Sequence, residues 1–259
     1  MAKSLNLSLF QADTLWQSPD ANIEILNQWI EKVPEHTDII ILPEMFLTGF
    51  SMDVHKIAQK IDGNGVTWLK SVAMSKKMAI IGSLTIEEDG KFYNRMLVAL
   101  PDGQLKWYNK RHLFRMGEEH NYFTPGNETI VFGYKGWNIM PLVCYDLRFP
   151  VWSRNVNLKY DLLIYVANWP QARSEAFLAL LKARAIENQS YVVGVNRVGI
   201  DGHGIRYAGD SVLINPKGKF MTELLQIPGI INCTICLDEL QDFRKKFPAH
   251  LDSDYFELK

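Results

Sequence analysis

An α/β fold rich in sheet is what this sequence predicts, and three observations carry the prediction. Short apolar runs of strand length alternate with stretches whose apolar residues recur at three- and four-residue steps. The runs Ile39-Ile40-Ile41-Leu42, Leu162-Leu163-Ile164-Tyr165-Val166-Ala167 and Tyr191-Val192-Val193 lack polar alternation, as strands covered on both faces do. Hydrophobic residues make up 47% of the 259, enough for a substantial core, and no linker or low-complexity stretch interrupts them. One domain over residues 1–259 is therefore expected.

The elements follow in order. Leu5, Leu7 and Leu9 alternate and predict a strand leading to Gln11. Ser18 is placed to cap a helix opened by Pro19, whose missing amide hydrogen costs nothing in a first turn. Ile23, Leu26, Ile30 and Val33 give that helix its buried stripe. A strand from Asp38 to Leu42 ends at Pro43. Gly65 to Met78 carries Val66, Leu69, Val72 and Ala73 at helical spacing, and Ala79 to Leu84 follows as a strand. Tyr93–Leu100 and Gln104–Tyr108 flank the turn Pro101-Asp102-Gly103 as a hairpin. The polar stretch from Lys110 to Asn127 is long enough to be functional, and its Leu113, Phe114, Tyr122 and Phe123 favour an ordered loop. Strands are then expected at Asn138–Val143, Asp161–Ala167, Tyr191–Val195, Ser211–Ile214 and Ile230–Leu237, with helices at Val151–Leu158 and Glu175–Asn188.

Composition excludes several classes of partner. Lys and Arg total 28 against 29 Asp and Glu, a net charge of −1 that argues against a nucleic-acid footprint. No apolar run approaches the roughly 18 residues of a spanning helix, so no membrane partner is expected. The opening MAKSLNLSLFQADTLW lacks the apolar core of a secretion signal. Three cysteines in a chain this long do not make a disulfide scaffold, and a reducing, cytoplasmic setting is the expectation.

Chemistry gathers where buried strands end. Glu44, Cys144 and Asn168 each follow an apolar run, and in open α/β sheets the carboxyl ends of strands form the usual crevice. A thiol attacks as its thiolate, which a nearby lysine ammonium or helix N-terminus favours and which a carboxylate can generate by taking the proton. His55, His112, His120 and His203 leave a cysteine–histidine pair open as well, and a buried inert thiol fits Cys144 equally. Cys233-Thr234-Ile235-Cys236 has redox or zinc spacing, but in a strand residues three apart face opposite ways, so ordinary packing is expected there. Neither a glycine-rich dinucleotide or phosphate loop nor an H-E-x-x-H motif occurs.

Three separated segments, in order, carry a resemblance. Leu42-Pro43-Glu44-Met45-Phe46-Leu47-Thr48-Gly49-Phe50, Asn109-Lys110-Arg111-His112-Leu113-Phe114 and Cys144-Tyr145-Asp146-Leu147-Arg148-Phe149-Pro150 resemble the nitrilase, or carbon–nitrogen hydrolase, superfamily, and most of all its omega-amidase branch. The resemblance covers essentially the whole chain. It implies a four-layer α-β-β-α sandwich, α/β in class, and pairing into a homodimer. It further implies catalytic roles for Glu44 as base, Lys110, Cys144 as nucleophile and a second glutamate at Glu119, with Glu118 adjacent. Lys110 and the backbone N–H of Tyr145 would hold the oxyanion. No metal or organic cofactor is implied.

The substrate implied is a small 2-oxo acid monoamide such as 2-oxoglutaramate. An N-carbamoyl or other small-amide hydrolase and a catalytically silent interaction protein are the alternatives. Arg148, Arg173, Arg197 and Arg206 are the cations available for a distal carboxylate, and Arg173 lies in a segment resembling the branch's substrate-facing loop. Trp169, Phe46 and Tyr122 join it as expected substrate contacts, whereas His203 is expected to be structural.

Overall fold

The computed structural model describes residues 3–254, 256 and 257. Alternation of apolar side chains across each strand decides the layering. In β1 (Ser4–Gln11), Leu5, Leu7 and Leu9 enter one core while Phe10 points to another. That second core takes Leu26 and Ile30 of α1 (Pro19–Ile30), Ile40 of β2 (Ile39–Ile41) and Leu69 of α3 (Asn64–Lys76); the short α2 (Val54–Ile57) lies between. β3 (Ala79–Glu88), β4 (Lys91–Ala99) and β5 (Leu105–Asn109) run antiparallel in succession, with Gly103 at φ +85° closing the second turn.

The loop after β5 is ordered around the four-residue α4 (Glu119–Tyr122). Then come β6 (Phe132–Tyr134), β7 (Trp137–Val143), β8 (Leu162–Ala167), α5 (Ser174–Asn188) and β9 (Tyr191–Asn196). A hairpin of β10 (Val198–Ile200) and β11 (Arg206–Ala208) precedes β12 (Val212–Ile214), β13 (Gly229–Cys236) and α6 (Leu237–Lys246).

Two sheets result, in the orders β13-β1-β2-β3-β4-β5 and β12-β9-β8-β7-β6. β1, β2 and β3 are parallel to one another, as are β7, β8 and β9. Leu5, Leu7, Ile41, Ile81 and Val98 of the first sheet share one continuous core with Ile139, Ile164 and Val193 of the second, so the sheets stack face to face. Outside them, α1 and α3 cover the first sheet and α5 the second. At Gly194 on β9 a Cβ would stand 2.4 Å from Leu181 of α5, so glycine sets how closely that helix docks. The α-β-β-α sandwich is thus present, with parallel strand ends from both sheets at one end of the inter-sheet layer.

Four local expectations are corrected. Residues 151–158 form turns and a brief 3-10 segment, with Asn157 and Leu158 at positive φ, rather than a helix. Asn155 causes this: its side chain donates to the Tyr160 carbonyl (2.9 Å) and accepts from the Tyr160 N–H (3.0 Å), closing a local loop that competes with helical pairing. Ser18 precedes α1 but its hydroxyl donates to the Trp16 carbonyl instead of capping, leaving Pro19 to start the helix. Val33 lies past the helix end. The last expected strand ends at Cys236 rather than Leu237, which instead opens α6, a helix not anticipated that buries Leu237, Leu240 and Arg244. Cys233 and Cys236 are both free thiols on β13, as their strand placement requires. No helix among the described residues is long and apolar enough to cross a membrane.

Candidate active site

Four strand ends and one loop converge. Glu44 follows β2, Lys110 follows β5, Cys144 follows β7 and Asn168 follows β8. The side chains of Glu44, Lys110 and Glu119 are each 0% exposed. Lys110 Nζ donates to Glu44 Oε1 (2.9 Å) and to both Glu119 oxygens (3.0 and 2.9 Å). Asn94 of β4 extends its amide to Glu44 (2.8 Å) and Glu119 (3.0 Å). The remaining Glu44 oxygen accepts the Asn168 N–H at 2.8 Å, and Glu119 Oε2 accepts the Phe114 N–H at 2.6 Å. Both carboxylates are thereby satisfied on every oxygen, which burial demands. Glu118 sits at φ +58° and is exposed, so the buried partner of Lys110 is Glu119.

Cys144 opens the 3-10 turn Cys144–Arg148 with φ +45°. This left-handed conformation is costly for a residue with a side chain and aims the thiol off the strand end. The sulfur is 4.0 Å from the Asn168 carbonyl oxygen. Burial pushes the Cys144 thiol well above its ordinary range, and Glu44 adds to this through its charge and as the thiol's hydrogen-bond acceptor, against the opposing Lys110. The lysine's expected lowering of the thiol is therefore outweighed, and the cysteine rests protonated. For Lys110 burial favours the neutral amine, yet Glu119 and Glu44 overcome it and hold the ammonium above its usual range. Glu119 is raised, chiefly by burial, with Lys110 opposing and Glu44 reinforcing.

A cavity of about 320 Å³ opens beside Cys144. Tyr145, Arg148, Trp169 and Arg173 line it, which places Trp169 and Arg173, of the four expected substrate contacts, on its wall. Trp169 is held by its indole N–H on the Arg173 carbonyl (2.8 Å), with the Arg148 guanidinium over its ring at 4.9 Å. The Arg173 guanidinium lies over Phe114 at 5.5 Å. Among the described residues neither arginine has an acidic partner within ion-pair distance.

Phe46 and Tyr122 do not line the cavity. Phe46 fills the outer core of the first sheet, pressed on Gly82 and Trp68, because the turn after Glu44 sends the chain to the helix side. Tyr122 is 45% exposed: Glu119 takes the inward position of α4, Phe123 packs on Met45 and Val54, and Tyr122 is left outside. Arg197 is buried and paired with Asp13 (3.1 Å), and Arg206 is exposed away from the cavity.

Asn94 was not anticipated, although a polar residue within the apolar strand 93–100 was a usable signal. Phe50, Met52, His203 and Tyr207 also face the cavity, brought there by loops whose approach no local pattern encodes. No cluster of three or more metal-ligating side chains occurs among the described residues.

A protonated thiol beside a carboxylate and a buried ammonium is equipped for nucleophilic attack with proton transfer, and on this paired-sheet scaffold the protein is a cysteine-dependent hydrolase. The sequence model of the carbon-nitrogen hydrolase family matches residues 6–245, and the chain belongs to that family. It is 44% identical to Omega-amidase YafV of Escherichia coli (strain K12), with 98% of each chain covered. It is 34% identical to the 2-oxoglutaramate amidase of Bacillus subtilis (strain 168), covering 95% of this chain and 96% of that one. The crystal structure of XC1258 from Xanthomonas campestris, a CN-hydrolase superfamily protein with an arsenic adduct in its active site, superposes with a TM-score of 0.96 at 42% identity, covering 99% of both chains.

Proposed function

We propose that this chain is an omega-amidase that hydrolyses the terminal amide of a small 2-oxo acid monoamide such as 2-oxoglutaramate, releasing ammonia and the 2-oxo acid. The observation that carries the substrate class is the pair of arginines, Arg148 and Arg173, on the wall beside Cys144, without acidic partners among the described residues. A guanidinium free of a protein carboxylate is matched to a substrate carboxylate, which it can clamp with two parallel hydrogen bonds. The names of relatives at 44% and 34% identity support the same substrate class.

In this mechanism Glu44 takes the Cys144 proton as sulfur attacks the amide carbon. The carbonyl oxygen becomes an oxyanion. An ammonium has three hydrogens, and with one on Glu44 and one shared by the Glu119 oxygens, Lys110 keeps a third for that charge, alongside the Tyr145 N–H. As the intermediate collapses, Glu44 returns the proton to the departing nitrogen and ammonia leaves a thioester on Cys144. Water, deprotonated by Glu44, then attacks the thioester and regenerates the thiol. Glu119 orients Lys110 throughout.

The test is ammonia release from 2-oxoglutaramate, beside glutamine, asparagine and an N-carbamoyl amino acid, by wild type and Cys144→Ala. Turnover selective for the 2-oxo amide and lost in the variant is expected. Preference for the N-carbamoyl compound would replace the substrate assignment, and folded wild type inert on all four would sink it. Arg148→Leu and Arg173→Leu should each raise KM by roughly ten- to hundredfold with a smaller change in kcat, as loss of uniform binding does.

A further inference from the structure

Beneath the nucleophile lies a third buried carboxylate, one that the reaction scheme leaves unused. Asp146 is fully buried and accepts four hydrogen bonds. One oxygen takes the His112 backbone N–H (3.0 Å) and the His112 ring Nδ1 (2.8 Å). The other takes the Tyr108 hydroxyl (2.7 Å) and the Val143 N–H (3.1 Å). Tyr108 and His112 lie two residues before and two after Lys110, while Val143 immediately precedes Cys144. The Tyr108 hydroxyl also accepts from the Arg111 N–H and the Trp152 indole N–H (both 3.0 Å), and the His112 ring stacks on Phe149 at 3.7 Å.

We infer that Asp146 is a positioning residue that fixes Lys110 against Cys144 by tying the lysine-bearing end of the first sheet to the nucleophile turn of the second. The inference rests on Lys110 and Cys144 being the reacting pair. Both ride on backbone at the ends of separate sheets, so contacts between the sheets, the Asn168–Glu44 pair and the Asp146 ties among them, set their separation, and an ångström of misplacement costs about a hundredfold in rate. Asparagine cannot replace the carboxylate. Its NH2 would meet either the His112 donors or Val143 N–H and Tyr108, whose oxygen already accepts twice.

The experiment compares Asp146→Asn with wild type in steady-state amide hydrolysis and in the pH profile of Cys144 alkylation by iodoacetamide, followed on the Cys144 peptide by mass spectrometry. Expected are a kcat lower by roughly ten- to hundredfold, a KM within about threefold, and an alkylation profile moved to higher pH as Lys110 withdraws from the thiol. Removing a negative charge alone would move the profile to lower pH, so that direction overturns the inference whatever kcat does. Wild-type kcat and profile in folded variant overturn it too, even with a lowered Tm. Should Asp146→Asn not fold, Tyr108→Phe deletes one tie without changing charge. It should cost roughly three- to tenfold in kcat with the same upward shift, and wild-type behaviour there overturns the inference. Alkylation needs no amide substrate, so failure of the 2-oxo amide assignment leaves this arm intact.

Discussion

Two neighbourhoods of the same inter-sheet layer are equally buried and chemically opposite. Along the strands, Leu7, Ile41, Ile81, Val98 and Ile139 meet across the sheets with no polar group among them. At the strand ends, Glu44, Asn94, Lys110 and Glu119 occupy space no less enclosed. The apolar neighbourhood stabilises the fold by about 25 cal/mol for each Å² of apolar surface removed from water. The polar one carries two carboxylates against one ammonium, and the desolvation of three ionisable groups offsets much of what their pairing returns. Its perturbed groups record that imbalance: Glu119 and the Cys144 thiol are raised, and burial is the leading cause in both. One end of the layer is thus organised for chemistry at a cost that the remainder sustains.

That contrast can be broken at either end. The largest effect is expected from Cys144→Ala, which should lower turnover by about 10⁴-fold or more while leaving the melting transition intact near neutral pH. Lys110→Met should reduce kcat by roughly 10²–10³-fold. It should also destabilise the protein by about 3–5 kcal/mol, because two buried carboxylates lose their cation; denaturant titration beside the activity assay reads both. A Lys110→Met protein as stable as wild type would mean that the polar neighbourhood is not under the strain assigned to it. Leu7→Ala, in the apolar neighbourhood, should cost about 2–5 kcal/mol in the same titration yet leave kcat per folded molecule unchanged.

The smallest effects are pH dependences. Glu119 has a folded pKa above its ordinary 4.5, so its contribution to stability is fully present below that value and is lost as pH rises through the raised one. Glu119→Gln should remove that loss, flattening the stability profile on the alkaline side of 4.5. The thiol follows the same sign. Above its ordinary 9.0 the unfolded chain releases the proton while the folded protein keeps it, so wild type should lose stability relative to Cys144→Ala by up to about 1.4 kcal/mol per pH unit. Parallel profiles for the two proteins above that pH would remove burial as the cause of the neutral thiol.

Legibility differed by residue for physical reasons. Glu44 and Cys144 stood out because each ends an apolar run, and strand-end polarity is a local signal. Glu118 and Glu119 are neighbours of identical type; the left-handed turn at Glu118 sends one outward and the other in, and nothing in the pair itself encodes that choice. Phe46 and Tyr122 flank site residues in sequence but face away, since adjacency along the chain says little about direction after a turn. Asn155 diverted a segment with apparent helical potential through two side-chain hydrogen bonds.

By itself the sequence determined the α/β class, most strands and the helices α1, α3 and α5, because periodicity of apolar residues is a local consequence of which face must be buried. It also placed Glu44, Lys110 and Cys144 at the ends of their elements. Tertiary structure alone decided that two sheets face each other, that Asn94 and Asn168 complete the carboxylate network, and that Arg148 and Arg173 share a wall with Trp169. It also decided that the thiol is neutral, since that balance depends on how three charges from separate strands and a loop are packed away from water. Local pattern fixes which atoms each element presents, whereas distance and dielectric between elements exist only after they have packed.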